Sequence, residues 1–158
     1  MVTWGQFTAS NPILAAKGEN LLFQFGVGLA FLATVRKDGA PRLHPLCPVR
    51  SGEGLYILIA PESPKKWDLL RDGRYALQTF PEAKKDSDEF YLSGVARAIA
   101  DPGIKDAVLK DAKHFASQDE ALFELLVERV MHTVWEGFGT PEFHPVHTKW
   151  LTGLDMTD

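Results

Sequence analysis

The sequence predicts an α+β fold, antiparallel strands in a β-barrel or sheet with flanking helices, and three observations carry that expectation. Two apolar runs rich in strand formers meet at Asp38-Gly39, a hairpin signal because the tight turn needs positive φ, where glycine has no steric penalty. A third run, residues 55–60, follows a glycine-containing turn and empties into Ser63-Pro64-Lys65-Lys66, which opens a short helix. Two further runs, 74–80 and 89–100, lead to a helix start at Asp101-Pro102. With 158 residues, 45% hydrophobic and 24% charged, the chain has the size and apolar content of one domain spanning 1–158.

Each element has a local reason. Ser10-Asn11-Pro12 supplies a capping side chain and a first-turn proline, so a helix is expected over about 11–25, weakened at Gly18 and stopped by Gly26 and Gly28. Residues 29–35 form the first strand. Its hairpin partner, 42–49, is bordered or crossed by Pro41, Pro45 and Pro48; each proline removes a ladder donor, so this strand belongs at an edge or carries a bulge. The helix over 64–71 is expected to anchor through Trp67, Leu69 and Leu70. Strand 74–80 places Tyr75, Leu77 and Thr79 on one face, a polar turn follows at 81–87, and Gly94 marks a bulge or close backbone approach within strand 89–100. Beyond Asp101-Pro102, Ile104, Val108, Leu109, Ala112 and Phe115 recur at helical spacing, as on a helix covering a barrel end. Residues 122–125 and 130–135 are candidate final strands, although the run D-E-A-L-F-E-L-L at 119–126 suits a helix equally by propensity. The tail from about 137 to 158, rich in Gly, Pro and His, is expected to be irregular, with Phe143 and Trp150 as anchors.

Charge and cysteine content narrow the function. A formal net charge of −4 gives no general field for nucleic acid or an anionic membrane, so an anionic ligand must be held by a local cluster. The one cysteine, Cys47, excludes an intrachain disulfide and a multi-cysteine metal site; it reads as a small hydrophobe, with no neighbouring His–Asp arrangement to activate it. No basic segment followed by an apolar core opens the chain, and its longest apolar stretch is broken by Gln24, Gly26, Gly28 and Thr34, which points to a cytoplasmic protein. His144-Pro145-Val146-His147 has no third ligand motif nearby, and no metal is expected.

The residues that carry chemistry gather around the third strand's end. Ser63, Lys65 and Lys66 at a helix start offer a hydroxyl, two ammonium groups and backbone N–H groups to an anion; equally, serine and proline are ordinary helix-start residues and paired lysines are commonly solvated. The proline-interrupted strand leaves backbone groups open to water or to a flat heterocycle. His44, on that strand, suits either a hydrogen bond to a ligand ring or a plain edge-strand role. Trp135, Phe138, Phe143 and Trp150 suit either the wall of a site or core and dimer packing.

In this order the segments L-A-T-V-R-K-D-G-A-P-R at 32–42, S-P-K-K-W-D-L at 63–69 and E-F-Y-L-S-G-V-A-R at 89–97 resemble the pyridoxamine 5'-phosphate oxidase-like FMN-binding split-barrel family. The resemblance covers roughly residues 29–102. It implies a six-stranded antiparallel split barrel working as a homodimer on a small-molecule substrate, with FMN in clefts between subunits; the alternatives for this chain are the same fold carrying a deazaflavin coenzyme or haem, and a flavin- or ligand-binding protein without turnover. It further implies that Arg42, Leu43, His44 and Pro45 form the flavin-side strand. Ser63, Lys65 and Lys66, with Arg42, would hold the phosphate, and Ile59 and Ala60 would line the ring. Glu89 and Trp150 stand at further cofactor-contact positions. The oxidase proper has a lysine where Cys47 stands and a glutamine where Glu89 stands. Its C-terminal tryptophan is followed by arginines, whereas Trp150 is followed by L-T-G-L-D-M-T-D, so a flavin reaction other than pyridoxal phosphate production is expected. Catalytic residues are not assigned.

Overall fold

The computed structural model describes residues 1–81 and 88–153; the turn expected at 81–87 lies, from residue 82 onward, outside the described residues. In chain order the elements are α1 (Trp4–Ser10), α2 (Pro12–Leu22), β1 (Ala30–Val35), β2 (Pro41–Leu46), β3 (Val49–Ser51), β4 (Gly54–Ile59), α3 (Pro64–Arg71), β5 (Arg74–Thr79), β6 (Glu89–Ile99), α4 (Pro102–Asp111), β7 (Ala121–Glu136) and β8 (His144–Leu151). The strands form one antiparallel sheet in the order β2-β1-β5-β6-β7-β4-β3, with β8 pairing the second half of β7. It curls into a half-barrel with flanking helices, the split-barrel architecture.

The described sheet has eight strands rather than six. Cys47-Pro48 interrupts the expected 42–49 strand, and the chain re-enters the sheet at its far edge as β3, pairing β4. The first half of the expectation holds: β2 is an edge strand. Part of the tail expected to be irregular is β8, aligned along β7 from Glu136↔His144 to Arg129↔Leu151.

The two short final strands are one long strand, and the 119–126 run enters it rather than a helix. Pairing decides this. Phe123, Leu125 and Val127 enter the main core while Leu122 packs in a second cluster with Val49, Tyr56 and Val108, a two-faced burial that a single helical stripe does not provide. Gly94 carries the expected bulge: the β6–β7 register shifts between Ser93 and Gly94, and a Cβ at Gly94 would stand 2.0 Å from the Leu126 carbonyl.

Helices fill the concave side. Asn11 caps α2 by accepting from the Leu14 N–H at 3.1 Å, and a further helix, α1, opens on a Thr3–Gln6 capping box. Trp4, Phe7, Leu14, Ala15, Leu21 and Leu22 join Leu32, Leu77, Phe90, Leu92 and Leu125 in the core. Helix α4 covers the outer side of β3, β4 and β7 through Val108 rather than a barrel end; of its expected stripe, Ile104 and Phe115 remain exposed. In α3 only Asp68 and Leu69 are buried, so Trp67 and Leu70 do not anchor it.

The convex side of the central strands is different. Phe31, Gln78, Tyr91 and Met131 align across β1, β5, β6 and β7, with Ala33, Ala76 and Ser93 in the next row. All are half-buried. Phe31 stacks on Phe80 at 4.0 Å between centroids.

Candidate cofactor site

Antiparallel register places Arg42 of β2 opposite Thr34 of β1, and His44 opposite Leu32. Directly opposed residues share a face. Leu32 and Thr34 are buried, so Arg42 and His44 face the concave side, while Leu43 and Pro45 alternate to the convex one. Helix α3 lies across this corner and presents Lys65, Asp68 and Leu69, positions i, i+3 and i+4 of one helical face.

Asp68 is the centre of the corner. Its Oδ2 accepts from Arg42 Nε at 2.7 Å and from Thr34 Oγ1 at 3.0 Å, and its Oδ1 accepts from an Arg71 guanidinium N–H at 3.2 Å. Arg71 also donates to the Val35 carbonyl. One carboxylate therefore joins β1, β2 and α3. Burial of Asp68 pushes its carboxyl upward, but the hydrogen bonds from Arg42, Thr34 and Arg71, with the Arg42 charge, hold it below the usual carboxylate value. It is ionised at neutral pH.

Lys65 is half-buried. Burial first and the Arg42 charge second lower its pKa; both penalties would be relieved by an anion at the same spot. Burial, then Lys65 and Arg42, lower the pKa of His44 against the opposing charge of Asp68. The imidazole is neutral at neutral pH. Arg42, His44, Lys65 and Asp68 thus act on one another as a single electrostatic cluster.

At the helix start, Ser63 has extended geometry (φ −70°, ψ 128°) and its hydroxyl makes no capping bond. The Lys66 N–H is taken by the Ser63 carbonyl at 3.0 Å, and Pro64 has no N–H. Donors left for an anion at this corner include the Ser63 hydroxyl, Lys65 and the Arg42 nitrogens beyond Nε. Lys66 holds its ammonium 4.2 Å from the centre of the exposed Trp67 ring. Ile59 is a core side chain and exposed Ala60 accepts from the Ser63 N–H, so any ligand contact by Ile59 is through its backbone.

Two expected positions lie elsewhere in the chain. Glu89 is on β6, three strands from β2, where it accepts from Trp135 Nε1 at 3.0 Å. Trp150 is on β8, edge-to-face with Phe7 at 4.9 Å, and lines a trough of about 430 Å³ with Tyr91, Arg129, Met131 and Lys149. Cys47 is half-buried, and burial pushes its thiol upward, away from nucleophilic thiolate chemistry. His144 and His147 do not converge: His147 meets Thr133 Oγ1 at 3.0 Å and His144 meets the Glu142 carbonyl at 2.6 Å. No group of three or more potential metal ligands, and no helix long and apolar enough to cross a membrane, occurs among the described residues.

Sequence reasoning missed Thr34, Asp68 and Arg71. A signal existed: in α3 the face holding Leu69 also holds Lys65 and Asp68, so an acid was destined for the sheet side. Trp67 and Leu70 drew attention by hydrophobicity although they fall on the other face.

No family model and no curated protein matches the sequence. Solved structures do match. A heme binding protein from Mycobacterium smegmatis is 20% identical with a TM-score of 0.61, the match covering 82% of this chain and 56% of that one. This chain therefore spans little more than half of that protein's length. The heme storage protein HutZ from Vibrio cholerae is 16% identical with a TM-score of 0.57, over 75% of this chain and 89% of that one. A protein from Listeria innocua, provisionally described as a pyridoxamine 5'-phosphate oxidase, is 21% identical with a TM-score of 0.58, over 73% and 94%. The chain has the split-barrel fold of the pyridoxamine 5'-phosphate oxidase-like proteins. At these identities the likeness is one of fold.

Proposed function

We propose that this protein is an FMN-dependent oxidoreductase of the pyridoxamine 5'-phosphate oxidase-like class, with flavin held at the interface of a homodimer. The observation that carries the reading is the anion-ready corner: a free Ser63 hydroxyl, half-buried Lys65 and Asp68-held Arg42 around the N-terminus of α3. These residues fit a phosphate. Bound FMN would supply the electron transfer, and the chain's part is to hold the phosphate, offer neutral His44 near the ring and exclude water.

The convex rows of Phe31, Tyr91 and Met131 form the proposed dimer face, and an obligate interface of this kind buries roughly 2,000 Å² or more. A second copy would also bring Glu89 and Trp150 to a site that their own chain holds strands away from β2. The test is the absorbance of the purified protein followed by titration with FMN and riboflavin. A flavin spectrum and tighter binding of FMN are expected; equal affinities would reduce Ser63 and Lys65 to a helix start with solvated charge.

Haem is the second reading, favoured by one feature of the corner: a neutral imidazole, His44, stands beside two cations able to meet propionates. Two of the structural neighbours are described as heme-binding or heme-storing. A Soret band lost in His44→Ala would establish it over flavin.

A further inference from the structure

We infer that Asp68 is a positioning residue of the phosphate site, a buried anion that improves anion binding by fixing the direction in which Arg42 presents its guanidinium. This rests on the phosphate reading above and deepens it, assigning Asp68 a role in the affinity of that site. A carboxylate beside a phosphate site should weaken it by repulsion. Here, however, Asp68 is only 3% exposed and its oxygens are occupied by Arg42, Thr34 and Arg71.

The geometry explains why orientation outweighs repulsion. Arg42 lies on an edge strand interrupted by prolines, and a long side chain there has several rotamers to lose when it meets a ligand. The 2.7 Å bond from Nε to Asp68 removes that freedom in advance and leaves the two terminal nitrogens to donate. Thr34 and Arg71 hold the carboxylate in turn, and all three partners come from different parts of the corner: β1, β2 and the last turn of α3. Removing the negative charge while keeping the shape therefore sets two physical effects against each other. Asp68→Asn raises the local positive charge, which favours phosphate, and releases Arg42, which disfavours it.

FMN and riboflavin affinities, compared as a ratio, read the phosphate contribution alone. Wild type is expected to prefer FMN. Asp68→Asn is expected to reduce that preference about tenfold despite the added positive charge, a loss of about 1.4 kcal/mol. Arg42→Ala should reduce it by a similar factor, and the double variant by no more than Arg42→Ala alone, since one residue acts through the other. An Asp68→Asn ratio equal to or above wild type overturns the inference and makes Asp68 a mere counter-charge. Additive losses in the double variant also overturn it. Wild type binding both ligands equally sinks the phosphate site itself, and the inference with it, a result distinct from the other two. Should Asp68→Asn not fold, Thr34→Val removes one donor to the carboxylate and keeps its charge; a two- to threefold fall in the ratio supports the positioning role, and no fall overturns it.

Discussion

The β1–β2–α3 corner and the β7–β8 arm solve opposite problems. In the corner a buried carboxylate is matched by three donors within one chain, and the strand and helix ends are locked before anything binds. In the arm, six consecutive β8 residues, 144–149, are exposed, and Phe138, Phe143 and Val146 stay in contact with solvent. Trp135 stacks on Phe143 at 5.2 Å and Phe138 meets Phe143 edge-on at 5.6 Å. Up to Thr133 the arm is backed by β6, and beyond it β7 and β8 pair, among the described residues, only with each other; a two-stranded ribbon is marginal by itself, so the order of this tip depends on the small aromatic cluster and, in the proposed dimer, on a second copy. The corner is organised for a ligand; the arm and the convex face are organised for a partner.

Breaking the partner side should have the largest effect. Phe31→Asp or Met131→Asp puts an uncompensated charge in the proposed interface, a change costing about 3–5 kcal/mol when buried. Sedimentation should then give monomer at micromolar concentration where wild type gives dimer; a wild-type monomer would end the dimer proposal. The corner should be insensitive to that change in its own hydrogen bonds, but flavin binding should fall with the dimer.

The ligand side comes next. Lys65→Ala should weaken FMN by ~10-fold, as expected for one charge-assisted hydrogen bond, and leave riboflavin affinity alone. Melting temperature without flavin should hardly move, because an ammonium with no carboxylate partner among the described residues contributes little to folding. An equal loss of stability with and without FMN would show that Lys65 is structural.

A smaller difference separates the regions by local stability. Phe143→Ala removes two aromatic contacts and should cost about 1–3 kcal/mol of arm stability, seen as faster backbone hydrogen exchange at Thr133 to Glu136 with no change at Thr34. Exchange increasing at both places would mean that arm and corner unfold together.

The smallest expected effect concerns pH. Because the folded-state pKa of His44 is lowered, the unfolded chain takes up that proton first. Stability from this group is full above the ordinary histidine pKa of about 6.5 and declines as pH falls towards the folded value. His44→Gln should flatten that decline in denaturant midpoints between neutral and mildly acidic pH; an unchanged slope would assign it to another group. Asp68 works in a different window. Its lowered pKa makes its stabilisation full above about 4 and lost as pH falls below that.

Much of the fold was legible because its signals are local. Asp38-Gly39, the Asn11 and Asp101 caps, the prolines that send β2 to an edge and the Gly94 bulge each follow from backbone sterics or a short-range hydrogen bond. The helix start at Ser63-Pro64 and its cations were likewise visible, as residue types at a recognisable spacing. What sequence could not supply was pairing across distance. Whether 121–136 is strand or helix depended on β4, β6 and α4 lying on either side of it, and β8 exists because β7 offers a free edge.

The same division runs through the site. Sequence alone determined that a hydroxyl and lysines stand at a helix N-terminus after a buried strand, because those are neighbours along the chain. Only the tertiary structure decided that Thr34 and Arg42 meet at one carboxylate oxygen of Asp68, 34 residues from Thr34 along the chain. Strand register chose the face for Arg42, helical rotation chose the face for Asp68, and burial made their charges matter to each other.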